Sequence, residues 1–296
     1  MGRFEGKVAI VTGKSPVFLF DERGSSVFIQ GSSSGIGAAS AILFAKEGAK
    51  VTITGRKSDG LEATKRFIIE AGGKEDDVNV VIADVTEADG REKIVGSTVE
   101  KWGRIDILVN NAGGLRRDEN GSNGISADAE VLKKTMDLNV YSAVEMIQLA
   151  RPHLVKAKGE IVNVSSIAAL PKATPTCLYY AMAKAAMDQM TRGLAVELIA
   201  EGVRVNSVNP GVVVTNVIQN SGKTEEDAAE FYKKYEESPD CLPIDGVGKP
   251  EDIANVIAFL ADRSSSRYII GQTIVADGGS MLVIASNATG AKREPK

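Results

Sequence analysis

Short runs rich in valine and isoleucine recur along this chain, and a stretch of helical periodicity separates nearly every pair. Val8–Thr12, Lys50–Thr54, Val78–Ala83, Asp106–Val109, Glu160–Val164, Val203–Val208 and Thr273–Val275 read as strands. Several are apolar throughout, the pattern of a strand covered on both faces rather than one. Between them lie helical stretches near Ile36–Lys46, Asp59–Ala71, Glu87–Trp102, Ala129–Lys156, Leu178–Ala200 and Pro250–Ala261. Such alternation leaves few solutions, because parallel strands must be joined by right-handed crossovers. It predicts an α/β fold: a doubly wound, mostly parallel seven-stranded sheet with helices on both faces. A single domain is expected over residues 1–285, with no internal repeat. Gly113–Ser126 reads as a polar, glycine-rich surface loop. Asn216–Leu242 is a longer excursion with a polar helix near Glu225–Glu236, placed after the sixth strand where it could cover a ligand. The tail 286–296 is small and charged, and is expected to be disordered.

The first strand-to-helix turn carries the first chemical signal. A dinucleotide site needs glycines there, for a tight turn and for close approach of the backbone to the pyrophosphate at a helix N-terminus. Gly31-Ser32-Ser33-Ser34-Gly35-Ile36-Gly37 supplies them, yet the strand that should precede it ends at Gly13. Removing Lys14 to Gly31 would give an uninterrupted Thr12-Gly13-Ser32-Ser33-Ser34-Gly35-Ile36-Gly37. The insert 14–30 has three readings. It can loop out, with Gly31 returning to Thr12. Val27–Gln30 can take over as the central strand and displace Val8–Thr12. Or it can arise from a retained intron, since Gly13-Lys14-Ser15 is encodable by a splice-donor-like string. The last is favoured as the origin, and looping out as the arrangement, because Val8–Thr12 is the better strand. Gly13-Lys14-Ser15 is not a phosphate loop, because Val8 stands where that motif needs glycine.

Tyr180-Ala-Met-Ala-Lys184 carries the second. On a helix, residues four apart share a face. A phenol titrates near about 10 and is a poor acid or base at neutral pH. A nearby ammonium favours the phenolate and would make Tyr180 a usable general acid or base. Tyr179 has Ala183 as its partner four residues on and cannot play this part. The competing reading is two residues on a solvated helix.

Other chemistries find little support. The net charge of −4 offers nothing to nucleic acid or an anionic membrane surface. No apolar run approaches the length of a membrane span. The N-terminus lacks the apolar core of a signal peptide, and Arg293–Lys296 is no peroxisomal signal, so a cytoplasmic protein is expected. Cys177 and Cys241 read as reduced thiols, and His153, the sole histidine, as a helix-end residue. No metal is expected.

Taken together these residues resemble the short-chain dehydrogenase/reductases, single-domain type, from about Gly6 to Ser280, broken by the insert. The likeness is nearest to tropinone-reductase-like and 3-oxoacyl-carrier-protein-reductase-like members. It implies a Rossmann-like fold and an enzyme moving hydride between a nicotinamide cofactor and a carbonyl or secondary alcohol. Asn110-Asn111-Ala112-Gly113 matches a family motif bordering the cofactor, and Asp84 the acidic residue near the adenine. Asn139 matches the catalytic asparagine that holds a water-linked proton path. Val162-Asn163-Val164-Ser165-Ser166 resembles the strand ending at the catalytic serine. Ser166 is the candidate, because in the family the second serine of the pair usually carries the role, and Ser165 is the fallback; Tyr180 lies fourteen residues after Ser166, one more than is common. Pro210-Gly211 and Thr215 match the segment beside the nicotinamide. The expected catalytic set is thus Asn139, Ser166, Tyr180 and Lys184. The expected cofactor set is Gly31, Ser33, Gly35, Ile36, Gly37, Arg56, Asp84, Asn111, Ala112, Gly113, Tyr180, Lys184, Pro210, Gly211 and Thr215.

An NAD site usually carries an acid at the end of the second strand. Here that strand runs Val51-Thr52-Ile53-Thr54-Gly55-Arg56-Lys57, with an arginine instead. A guanidinium suits a 2′-phosphate, so NADP(H) is expected to be preferred, with NAD(H) possible. The alternative is a non-catalytic dinucleotide-binding or scaffold protein whose cofactor turn the insert disrupts. A homo-oligomer, dimer or tetramer, is implied by the resemblance. Leu115, Leu170, Val213 and Val217 suggest apolar contact with a small-molecule carbonyl or alcohol substrate that the sequence does not identify.

Overall fold

The computed structural model describes residues 2–13, 35–215, 224–237 and 241–283. Seven strands form one sheet in the order β3-β2-β1-β4-β5-β6-β7. They are β1 (Val8–Thr12), β2 (Lys50–Gly55), β3 (Val78–Ile82), β4 (Ile107–Asn110), β5 (Glu160–Val164), β6 (Arg204–Pro210) and β7 (Thr273–Ala276). Every pairing is parallel. The strand order reverses at β1, so the carboxyl ends of β1 and β4 flank the crevice where such sheets bind ligands.

Alternation along the central strands divides the core into two layers. Ala9, Val11, Ile107, Val109, Val162 and Val164 face one side, where they pack with helix α1 (Gly35–Lys46), α2 (Ser58–Glu70) and α8 (Pro250–Ala261). Ile10, Leu108 and Ile161 face the other, with α3 (Ala88–Trp102), α5 (Ser142–Ala157) and α6 (Leu178–Ile199). Both faces of the central strands β1, β4 and β5 are therefore dry, which is why those runs read as continuously apolar. Ahead of β1, Phe4 is buried and meets Phe44 of α1 edge-on at 4.8 Å.

The paired position of Val8–Thr12, between β2 and β4, rules out the reading in which Val27–Gln30 displaces it. Residues 14–34, with Gly31 and Ser33, lie outside the described residues. The single helix expected over 129–156 is interrupted. Helix α4 (Ala129–Met136) passes through a π turn at Asp137–Tyr141 before α5 begins. Helix α7 (Glu225–Glu236) opens with a capping box between Thr224 and Asp227. Its Tyr232 hydroxyl donates to the Thr215 carbonyl at 2.7 Å, fastening α7 to the segment after β6. The four-residue α9 (Arg263–Ser266) follows α8.

Candidate active site

The candidate residues collect at the carboxyl ends of β1, β4, β5 and β6. At β1, the Thr12 hydroxyl accepts from the amides of Asn111 and Ala112, each at 3.1 Å. The Asn111 side chain donates to the Thr12 carbonyl at 2.8 Å. These bonds hold the turn after β4 against the end of β1. Below it, buried Asn110 donates to Asn163, which donates to Thr191 of α6, both at 2.9 Å.

Gly113, next along, leaves space for two candidate side chains. A Cβ there would come within 2.8 Å of Asn139 Oδ1 and 3.0 Å of Lys184 Nζ. Asn139, fully buried in the π turn, donates to the carbonyls of Thr135 and Gly114 at 2.9 and 3.0 Å. Its Oδ1 accepts from the Gly114 amide at 3.0 Å. A π turn inside an α-helix often marks a functional position, and here it carries the residue that latches the β4 loop.

From β5, Ser165 and Ser166 diverge. Ser165 is buried and donates to the Lys184 carbonyl at 3.2 Å, bracing α6. The Ser166 hydroxyl pairs with the Tyr180 phenol and accepts from the Ala168 amide at 3.1 Å. Of the two serines, Ser166 is thus the one beside the Tyr180 phenol, and the short helical turns 167–169 and 175–177 lie between them. Tyr179 donates its hydroxyl to the Ala127 carbonyl at 2.9 Å.

Tyr180 and Lys184 do share a face of α6, with the ammonium 5.6 Å from the phenol ring centre. Lys184 is buried, and its Nζ donates to the Val164 carbonyl at 2.8 Å. The electrostatics differ from expectation. Burial pushes the half-buried Tyr180 phenol up to about 12, and the bond from Ser166 only partly pulls it back. Burial also draws the Lys184 ammonium down to about 8, against the Asp188 carboxylate, which holds it up. In the polypeptide alone, desolvation therefore dominates, and the Tyr180 pKa is raised rather than lowered.

At the other end of the crevice, Arg56 stands directly after β2 with Asp84 3.7 Å away. The Asp84 carboxyl lies below its ordinary range. Burial raises it, but bonds from the Thr86 amide and hydroxyl and the charges of Arg56 and Arg116 outweigh that. Gly35 has φ of +75°, and a Cβ there would meet the Thr215 methyl at 3.3 Å. That places the start of α1, with Ile36 half-buried and Gly37 buried, against the loop after β6. Pro210 ends β6, and the Gly211 amide donates to Ala276 of β7 at 2.9 Å.

These residues fit a nicotinamide dinucleotide. They offer a helix N-terminus at the switch point, a glycine at 113 where a Cβ would press on Asn139 and Lys184, and a buried ammonium beside a phenol. Tyr180 opens on a small cleft lined by Leu115, Arg116, Asp118 and Leu178. Val213, expected at the substrate, is instead buried in the core, and Val217 lies outside the described residues. A larger cavity of about 1200 Å³ lies against α7, Leu242 and Val247, and none of Asn139, Ser166, Tyr180 or Lys184 lines it. Among the described residues no group of acidic, histidine or cysteine side chains could hold a metal ion, and no helix is long and apolar enough to cross a membrane. Thr12 and Asp188 were not singled out by sequence. The Thr-Gly ending of the first strand was the only signal for the former.

Comparison with known proteins agrees with this geometry. The profile of a family described as Enoyl-(Acyl carrier protein) reductase matches residues 31–281, beginning where the insert ends. The 3-oxoacyl-[acyl-carrier-protein] reductase FabG of Thermotoga maritima is 34% identical over 281 residues, covering 95% of this chain and 100% of that protein. A Caenorhabditis elegans short-chain dehydrogenase/reductase of unknown function, solved with cofactor, is 48% identical. It superposes with a TM-score of 0.89 over 96% of this chain and 98% of its own. A 7 alpha-hydroxysteroid dehydrogenase complexed with NADH and 7-oxo glycochenodeoxycholic acid is 28% identical, with a TM-score of 0.76 over 94% and 95% of the two chains. The chain is therefore an NAD(P)-dependent oxidoreductase and belongs to the short-chain dehydrogenase/reductase family.

Proposed function

We propose that this enzyme is an NADP(H)-dependent reductase of a small-molecule carbonyl, or dehydrogenase of the matching secondary alcohol, with Tyr180 as its general acid and base. The observation that carries the reading is the convergence of Ser166, Tyr180 and Lys184 at the ends of β5 and α6, beside Asn139 and the Gly113 cradle. The coenzyme, when bound, supplies the hydride in reduction and accepts it in oxidation. In the direction of reduction, Tyr180 Oη gives its proton to the substrate oxygen while Ser166 Oγ hydrogen-bonds the same atom. Both act where negative charge develops. Lys184 Nζ lies at the tyrosine ring and favours the phenolate left behind. Asn139 orients the water through which the proton is replaced.

Preference for the 2′-phosphate rests on Arg56 and on the lack of an acid at the end of β2. The contact of Arg56 with Asp84 is long and half-exposed, worth little, so the guanidinium can turn to a phosphate at small cost. Substrates of the relatives suggest where to begin: a 3-oxoacyl thioester and a 7-oxo steroid.

Calorimetric titration with NADPH and NADH tests the cofactor reading. NADPH should bind at least tenfold tighter, a gap of about 1.4 kcal/mol; equal affinities would overturn the preference. Tyr180→Phe should lose turnover by at least about a hundredfold, the low end for a general acid–base group, while binding NADPH normally. Retained turnover would remove Tyr180 from the chemistry.

A further inference from the structure

Helix α6 carries a third residue on the face that bears Tyr180 and Lys184. Asp188 lies one turn beyond the lysine and is 3% exposed. Its Oδ2 accepts from Asn209 Nδ2 at 2.8 Å, and the same Asn209 amide donates to the Ser166 carbonyl at 3.1 Å. Its Oδ1 has no hydrogen-bond partner among the described residues. A buried carboxylate oxygen without a partner is costly and is kept when a nearby opposite charge compensates it. Lys184, four residues before it and also buried, is that charge.

We propose that Asp188 is a positioning residue of the hydride-transfer site: its carboxylate keeps the buried Lys184 cationic and, through Asn209, fixes the backbone that presents Ser166. The inference rests on the reading of Tyr180 and Lys184 given above. Among the described residues no other group supplies the charge. From β5 the facing side chains are Ser165 and Ser166, from β6 Asn209, and from the π turn Asn139, all neutral. Cys177, ahead of α6, faces Tyr180 rather than the lysine. Burial pulls the Lys184 ammonium down to about 8, and among the described residues Asp188 is the charge that opposes it. Without Asp188 the lysine would be largely neutral at the pH where Tyr180 must be biased toward phenolate. A mainly structural Asp188 would serve only to hold Asn209.

The test follows Lys184 directly, on full-length enzyme with lysines labelled with ¹³C at Cε, by titrating the NMR signal that Lys184→Met removes. The wild-type midpoint should lie near 8. Asp188→Asn keeps an acceptor for Asn209 and removes only the charge. It should move the midpoint down by about one pH unit, a tenfold change in the protonation equilibrium. Asp188→Glu should restore it. An unchanged midpoint in Asp188→Asn, with Asn209 still ordered, would overturn the proposal. Asp188→Ser repeats the measurement should the amide variant not fold. None of this depends on turnover. An inactive Tyr180→Phe with an unmoved lysine therefore rejects only the role of Asp188. An active Tyr180→Phe with a shifted lysine rejects only the proton-transfer scheme.

Discussion

Lys184 shows how a buried ammonium strains the fold that holds it. An ordinary lysine titrates at 10.5, and burial brings this one to about 8. The unfolded chain therefore holds a proton that the folded chain releases between those values, and stability attributable to this group rises with pH across that window. Below about 8 the penalty is complete; above 10.5 it has gone. Lys184→Met removes the titration. At pH 7 the variant is relieved of a penalty on the order of 1–3 kcal/mol, partly offset by the lost bond to the Val164 carbonyl. Wild type should gain on it as the pH is raised from 8 to 10.5. Urea denaturation of both proteins at a series of pH values checks this, and a constant gap would mean the lysine is not desolvated. The Tyr180 and Lys184 pair was legible in the sequence because their spacing puts both on one helical face. Asp188 shares that face and was not read. A single carboxylate in a helix usually marks its solvated side, and its burial depends on Asn209, a residue of a distant strand.

Elements, by contrast, were placed well wherever a run was apolar on both faces. The ends of β2, β3, β4, β6 and β7 moved by one or two residues, the ordinary latitude of such boundaries. The π turn was not foreseen, because its widened ring reflects Asn139 bonding across to Gly114 rather than any local pattern. Nor was the polar staple that joins β5, β6 and the end of α8. Arg204, 2% exposed, donates to the carbonyls of Leu260, Ser266 and Ile269 at 2.6–2.9 Å. Its Nε lies 2.9 Å from Glu160, which also meets Arg263 at 2.6 Å. Burial raises the Glu160 carboxyl above its ordinary range despite the opposing charges of Arg204 and Arg263. Its ionisation already costs the fold as pH rises through that raised value. Arg204→Met would leave the carboxylate with the half-exposed Arg263 alone. The loss should be about 3–5 kcal/mol at neutral pH. It should shrink as the pH falls toward about 4.3, where carboxyls protonate. Chemical denaturation at both pH values measures it; a loss below 1 kcal/mol, or one independent of pH, would show that the ion pair contributes little.

At the scale of the whole molecule, the open matter is the chain between β1 and α1. Connections of this kind usually take about 2–6 residues, whereas 21 separate Gly13 from Gly35. On one side, β1 is fully seated. It pairs with β2 and β4, and Thr12 holds the β4 loop through Asn111 and Ala112. On the other, α1 is packed through Phe44 and Ala41 into the same core layer as α8. These anchors are made among the described residues, and the family profile matches the chain only from residue 31. Deleting residues 14–31 joins Gly13 to Ser32 and leaves a turn of ordinary length with its glycines in place. Loop-closure entropy favours the shorter connection, by about 2 kcal/mol at most. The deletion protein should therefore fold, melt no lower than the full chain, and bind NADPH at least as tightly in the same calorimetric titration. An unfolded product would show that the segment belongs to the core. A folded product that no longer binds NADPH would show that residues 14–31 form part of the cofactor site, which would make this enzyme's phosphate-binding turn unlike the one its glycines spell.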